Sequence, residues 1–363
     1  MLWFGIPVIA SIFIGFFLFY GFPVLRKRIA PFSIPKLSII IPARNEESNL
    51  PGLLNSLKRQ TILPYEVIVV DDNSEDGTKS VATEFNATVV SSPVLPDGWL
   101  GKPWGCYQGA LKAKGDIFIF LDADTFLEPD GLEKIVHVYN AESGAISIFP
   151  YHMIKNFHET FSAIFNLMQL VGMYKISLTK NKKTAGMFGP CLIISREDYF
   201  VIDGHCSVRE EVLEHYMMAG ILIKHNIPIR LFRGKGSVNV RMYPEGWKTL
   251  IMGWSKSFTR GADHTPRVNM SLSVMWINGL LFSSIFLILS FFSNNTVNVL
   301  FWSIVYILSV FQILFQFRKV GNFRVWSAVF YPANLIFFLT LFTFAAYRNS
   351  RNRGIEWKGR KIN

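Results

Sequence analysis

Apolar residues run from position 2 to 25 without a charge. One helix of that length spans about 30 Å of hydrocarbon. Arg26, Lys27 and Arg28 follow, with no small-residue cleavage site before them and no basic start to the run. The pattern predicts an uncleaved anchor whose C-terminal end lies in the cytoplasm. Pro31 and Pro35 form a short linker. Short apolar runs then alternate with amphipathic ones. Strands are expected at 37–41, 66–70, 88–91, 117–121 and 145–149, and helices at 49–59, 78–85, 103–114 and 132–140. That alternation implies a mostly parallel sheet covered on both faces, with ligands outside the carboxyl ends of its strands.

Residues 157–173 carry Phe157, Phe161, Ile164, Phe165, Met168 and Val171 on one helical face, with Asn156, Ser162, Asn166 and Gln169 opposite. The stretch reads either as a core helix or as an interfacial helix beside a lipid acceptor. From Met270 onward the pattern is that of membrane spans, expected at 270–292, 297–315 and 325–346. Four regions follow: an anchor (1–28), an α/β domain (36–262), C-terminal transmembrane helices (263–347) and a basic tail (348–363).

Composition sharpens the membrane reading. Half of the 363 residues are hydrophobic, Phe alone counts 33, and the net charge is +11. The basic residues sit beside apolar runs, at Arg26 to Arg28, at Arg318 and Lys319, and from Arg348 to Lys361. That placement fits a lipid bilayer as partner rather than nucleic acid, for which no motif is present. Between 241 and 262, Tyr243, Trp247, Trp254 and Phe258 alternate with Arg241, Lys248, Lys256 and Arg260, a composition suited to the headgroup layer. Cys106, Cys191 and Cys206 have neither disulfide nor zinc spacing and read as reduced thiols.

Four elements carry candidate chemistry. Ile41-Pro-Ala-Arg-Asn-Glu-Glu47 follows the first strand, where a strand-to-helix turn exposes backbone groups to a nucleotide; Ala43, Arg44 and Glu46 are its donor-binding candidates. In Val70-Asp-Asp-Asn-Ser-Glu-Asp-Gly-Thr78, a carboxylate such as Asp72 suits a base or ribose. Gly98-Trp-Leu-Gly-Lys-Pro-Trp104 places Lys102 near a helix N-terminus, a phosphate-binding setting. Asp122-Ala-Asp124 closes the apolar strand 117–121, and two carboxylates there can hold a divalent cation, Mg or Mn, that neutralises a diphosphate leaving group.

In that order the elements resemble the inverting family 2 glycosyltransferases, over roughly 36–262. The resemblance implies the nucleotide-sugar-binding A-type (GT-A) fold and a UDP-sugar donor. It assigns the acidic pair Asp71-Asp72 to the base, Asp122 to the sugar-nucleotide and Asp124 to the metal. Tyr151-His-Met-Ile-Lys-Asn-Phe157, Phe161 to Met168, Val171-Gly-Met173, Phe188-Gly-Pro190, Arg241-Met-Tyr243, Gly246, Gly253-Trp254 and Glu356-Trp-Lys-Gly-Arg360 are similar to the diaponeurosporenoate glycosyltransferases of staphyloxanthin-type carotenoid pathways. That likeness spans almost the whole chain. It implies a multi-pass bacterial membrane enzyme with a cytoplasmic catalytic domain, moving glucose from UDP-glucose to the carboxylate of a membrane-embedded C30 apocarotenoid acid. Glycosylation of another lipid, a hopanoid or a diacylglycerol, stands as the alternative, as does a silent scaffold. No QxxRW signature points to a processive synthase.

One departure bears on mechanism. Family 2 members usually carry Glu-Asp, whose Asp deprotonates the acceptor hydroxyl. Here the matching place reads Leu213-Glu-His215, with Glu210 and Glu211 nearby. A hydroxyl needs a base in the transition state. A carboxylic acid, with a pKa of about 4 to 5, is already ionised at neutral pH. The missing Asp therefore agrees with a carboxylate acceptor, and Glu214 is expected to orient rather than to abstract a proton.

Overall fold

The computed structural model describes residues 2–27, 33–175, 183–350, 355–357 and 360–362. Helix α1 (Gly5–Leu18) precedes an α/β domain. That domain runs β1 (Leu37–Ala43), α2 (Leu50–Lys58), β2 (Glu66–Asp71), α3 (Thr78–Glu84), β3 (Thr88–Ser91), α4 (Gly101–Lys112), β4 (Ile117–Leu121), β5 (Thr125–Leu127), α5 (Gly131–Ala141), β6 (Ala145–Phe149) and β7 (Tyr151–His152). A 3-10 turn (His158–Ser162) leads into α6 (Ala163–Gly172). Next come β8 (Tyr174–Lys175), β9 (Lys183–Thr184), β10 (Cys191–Ser195), α7 (Arg196–Val201), α8 (Glu214–Lys224), β11 (Ile229–Arg233) and β12 (Val238–Val240). The C-terminal part holds α9 (Trp247–His264), α10 (Arg267–Phe291), α11 (Thr296–Val320), α12 (Val325–Val329), α13 (Tyr331–Ser350), β13 (Ile355–Trp357) and β14 (Arg360–Ile362).

The main sheet has seven strands in the order β11-β6-β10-β4-β1-β2-β3. β4 and β6 are buried at every position, as an apolar run covered on both faces requires. The sheet is mixed: β10 lies antiparallel to both β4 and β6. Cys191 opposes Leu121, so the start of β10 falls at the carboxyl end of β4. Pro190 carbonyl there accepts the Asp122 N–H at 3.0 Å. One reversed strand thus delivers Phe188-Gly189-Pro190 to the ligand edge of the sheet. Three short strands, β5, β12 and β7, form a second sheet absent from the sequence expectation.

The core on one sheet face is closed by α2 and α5, with Leu53, Leu57, Ile135 and Val136. The core on the other face continues without a break into α6, α9, α10, α11 and α13, through Phe165, Trp254, Trp276, Phe317 and Phe338. Residues 157–173 therefore have no polar face turned outward. Asn166 is buried with its side chain 2.8 Å from His152 Nδ1, and Ser162 Oγ accepts the Trp254 indole N–H at 3.0 Å.

Three sequence expectations change here. The 2–25 anchor is helical only to Leu18; Phe19, Phe22 and Leu25 beyond it are buried against protein, and the Pro23 carbonyl accepts the Arg233 N–H at 2.8 Å. Of the expected interfacial rings, Trp247 is exposed but Trp254 is fully buried and stacks on Phe165 at 4.8 Å. Arg241 pairs with buried Glu159 at 3.1 Å instead of facing headgroups. The side chains of Lys256, Phe258 and Arg260 lie outside the described residues. The expected 325–346 span is two helices, broken at Phe330. Pro332 in the first turn of α13 cannot continue α12, because it lacks the N–H and crowds the preceding turn.

Among the described residues, two helices are long and apolar enough to cross a membrane, α10 with mean hydropathy 2.1 and α11 with 2.0. The start of α10 is tied to the α/β domain by Asn269, which donates to the Val171 carbonyl at 2.6 Å. The end of α11 returns to it: Lys235 donates to the Arg318 carbonyl at 3.1 Å, and Gly321 bridges His152. α12 leads away again until Tyr331 reaches Ser283 and Tyr306, midway along α10 and α11. α13 then turns back, with Phe337 against Phe161 and Trp247 and Phe338 against Phe165.

Candidate active site

The order β4-β1-β2 sets three of the sequence-derived elements side by side at one sheet edge. The turns after β1 and β2 interlock. Arg44 donates to the Asp72 carbonyl at 2.8 Å, Asp72 N–H to the Ala43 carbonyl at 2.9 Å, and Glu46 N–H to Thr78 Oγ1 at 2.8 Å. Asn45 and Asn73 take positive φ, 52° and 53°, which lets each strand turn sharply at its end. Asp71 and Asp72 are buried in this wall. Ala43, Arg44, Glu46 and Asp72 thus form one continuous rim.

Lys102, Asp122 and Glu214 meet beside it. Lys102 Nζ stands 2.7 Å from Asp122 Oδ1 and 3.4 Å from Glu214 Oε1, and donates to the Gly189 carbonyl at 3.3 Å. Lys102 lies in the first turn of α4, as expected, but its ammonium is engaged by two carboxylates. Glu214 opens α8 and is buried, whereas Glu210 and Glu211 are exposed. Burial alone would raise the Glu214 pKa. The Lys102 ammonium outweighs that, with His215 adding to it, and holds Glu214 well below the carboxylate range. Burial likewise opposes the charge on Lys102, and Asp122 and Glu214 overcome it and raise its pKa. Burial pushes His205 down to about 3, so it stays neutral, with Tyr199 hydroxyl 3.0 Å from its Nδ1.

His215 Nδ1 lies 3.9 Å from Glu214 Oε2, within ion-pair reach but too far for a hydrogen bond, and it is buried with no hydrogen-bond partner among the described residues. Gly189 leaves room for this group. A Cβ there would stand 3.1 Å from His215 Nδ1 and 3.5 Å from Lys102 Nζ. Gly189 was legible only as part of Phe188-Gly-Pro190, with no hint of its place over Lys102. Cys106 lies in the same wall and is fully buried; burial raises its thiol pKa out of the reactive range.

Asp124 sits one tight turn past β4, where Thr125 N–H and hydroxyl both bond the Asp122 carbonyl, at 3.0 and 2.7 Å. Among the described residues no three acidic, histidine or cysteine side chains gather as a ready metal cage. That donor set still suits a hard divalent cation of the Mg or Mn type, which takes one or two carboxylates and completes its shell with diphosphate oxygens and water.

Two cavities lie on either side of His215, which lines both; the first is small, about 10 Å3. This polar one is walled by Pro42, Lys102, Asp122, Gly189, Glu214 and His215. The other, of about 340 Å3, lies between α6, the start of α8, α10 and α13, with Met168, Val171, Ile277, Leu281, Phe338 and Phe342 in its walls. Its size is that of a small-molecule site. The 157–173 stretch thus supplies both core and cavity wall.

The turns after β1, β2 and β4 gather at one sheet edge beside a buried, ionised acid, an arrangement that transfer of an activated sugar can use, and the protein is a glycosyltransferase with a GT-A-like mixed α/β fold. It belongs to glycosyl transferase family 2, whose family model matches residues 38–200. It is 36% identical over 342 residues to the 4,4'-diaponeurosporenoate glycosyltransferase of Staphylococcus aureus strain MRSA252, covering 93% of this chain and 91% of that protein. The same enzyme of strain USA300 matches equally. Among solved structures, mannosyltransferase PcManGT from Pyrobaculum calidifontis, in complex with GDP-Man and Mn2+, shares the fold with a TM-score of 0.52 at 16% identity, over 96% of each chain.

Proposed function

We propose that this enzyme transfers glucose from UDP-glucose, with inversion, to the carboxylate of a membrane-embedded carotenoid acid of the diaponeurosporenoate type, giving a glycosyl ester. The observation that carries the reading is an apolar cavity of about 340 Å3 that shares His215 with the small space beside Lys102, Asp122 and Glu214. A long apolar acceptor with one polar end fits that pair, and the name of the S. aureus relative supplies the acid.

In this reading Ala43, Arg44, Glu46 and Asp72 hold the nucleotide, and Asp122 holds the sugar-diphosphate. Asp124, with Asp122, would hold a divalent cation, which neutralises charge on the diphosphate as it leaves. Lys102 keeps Asp122 and Glu214 charged and sets positive charge beside that leaving group. Glu214, held well below the usual carboxylate range, is a poor proton acceptor and orients rather than abstracts. A carboxylate acceptor asks for little more than placement in line with the anomeric carbon. α1, α10 and α11 would cross the bilayer and α12–α13 would dip in and return, with the catalytic domain and the basic tail on the cytoplasmic side.

Coexpression with enzymes that make the acid, followed by mass spectrometry of the pigments, tests the reaction. A hexosyl ester of the acid is expected; glucosylation of a hopanoid or a diacylglycerol instead would refute the acceptor. Asp124→Asn should fold with wild-type Tm and lose about a hundredfold or more in kcat, roughly the weight of one such charge contact. Wild-type activity undiminished in EDTA would remove the cation from the account.

A further inference from the structure

We infer that His215 receives the carboxyl group of the acceptor and makes the enzyme choose an acid over an alcohol. The inference rests on the reading of the apolar cavity as the acceptor site. Among the described residues, His215 is the one that lines both cavities. It is also the one basic side chain in the apolar cavity, whose other polar lining is Gln169, Tyr216, Thr265, Ser273 and Asn278. A carboxylate entering such a place loses its water and must find donors there. Imidazole offers N–H donors and carries positive charge once protonated.

The neighbours favour that role. Glu214 Oε2 at 3.9 Å faces the same ring from the polar side, and Lys102 holds Glu214 in place. Nδ1 lies on the Glu214 side of the ring, buried and without a hydrogen-bond partner among the described residues, so the ring nitrogen left to receive a carboxylate is Nε2. An aspartate in this position, two residues of like charge side by side with Glu214, would repel an incoming carboxylate. The replacement therefore removes a repulsion and adds an attraction, which together set a preference between acceptors.

All-trans-retinoic acid and retinol are polyenes that differ only at the head group, and their binding to the purified full-length enzyme in detergent can be followed by quenching of tryptophan fluorescence. Wild type should bind the acid at least about tenfold more tightly than the alcohol, the weight of one charge-assisted hydrogen bond. His215→Asp should erase or reverse that ratio through the acid alone, and His215→Gln, which keeps an N–H donor without charge, should fall between. An acid-to-alcohol ratio near one in wild type, or a ratio unchanged in His215→Asp, overturns the inference. So does an equal loss of both ligands in His215→Gln, which marks a purely structural residue. Hexosyl ester formation is read separately by mass spectrometry. A wild type that selects the acid and makes no ester would refute the proposed reaction and leave the assignment of His215 standing.

Discussion

Lys102 shows how a single side chain can be read correctly in kind and not in partner. A lysine in the first turn of a helix beside a nucleotide site suggests phosphate. Its actual partners, Asp122 at 2.7 Å and Glu214 at 3.4 Å, come from segments far apart in sequence. No local pattern announces such a contact, because it depends on where β10 and α8 are laid down. Asp122 and Asp124 were legible for the opposite reason: an acidic pair directly after an unbroken apolar run must lie at a strand end. Glu214 was legible by resemblance alone, its burial was not. Lys102→Met leaves a buried Glu214 without its counter-charge and should destabilise the protein by about 2 kcal/mol at neutral pH. That is below the usual figure for a broken buried pair, because Lys102 is 36% exposed and solvent screens it. The folded-state pKa of Glu214 is depressed, so the stability that it supplies is present above its unfolded value near 4.5 and is lost as pH falls below it. The gap in Tm between Lys102→Met and wild type should therefore be widest near neutrality and narrow below about pH 4.5. A gap independent of pH would mean that the pair does not supply it.

At the level of elements, the strands that pack apolar on both faces were readable and the reversed one was not. β10 is nearly as apolar as β4, and a buried strand carries no mark of its direction. β5, β7 and β12 span two or three residues each, too short for any periodicity to register. Pro332 was a readable sign that 325–346 is not one helix, since proline starts helices more readily than it continues them. α1 is held by close backbone approach. A Cβ at Gly279 of α10 would collide with Ser11, and one at Gly15 with Trp276 and Gln312. Gln312 in turn accepts the Trp276 indole N–H at 3.0 Å and donates to the Ile12 carbonyl. Small residues at such crossings let helices meet closely, which would matter most if these helices lie in the bilayer as proposed. Gly279→Val should push α1 off α10 and lower Tm in detergent by several degrees, with Gly279→Ala giving a smaller drop; the same Tm for both variants and wild type would show that α1 contributes nothing to the packing.

At the level of the molecule, the basic tail posed a conflict on sequence grounds, since an anchor and three later crossings would have put it opposite the catalytic domain. The chain turns back at Tyr331 and runs toward Phe161 and Trp247, a course that on the proposed reading keeps the tail on the catalytic side. Lys27, just after the first apolar stretch, meets Glu133 at 2.8 Å on the same domain. Reporter fusions after Lys27, within the 292–295 turn and after Tyr347 should accordingly read inside, outside and inside. An outside signal after Tyr347 would require α13 to cross.

The apolar cavity shared by α10 and α13 has a consequence for what leaves the enzyme. A sugar just attached is too hydrated to travel back through walls of Ile277, Leu281, Phe338 and Phe342. If that cavity holds the acceptor as proposed, the product must slip sideways with its sugar still at the catalytic level, like a key drawn out along the slot by which it entered. On the proposed reading, every molecule made would then be born in one leaflet with one orientation. Whatever enzyme next modifies the sugar must either work from that face or wait for the lipid to be turned over.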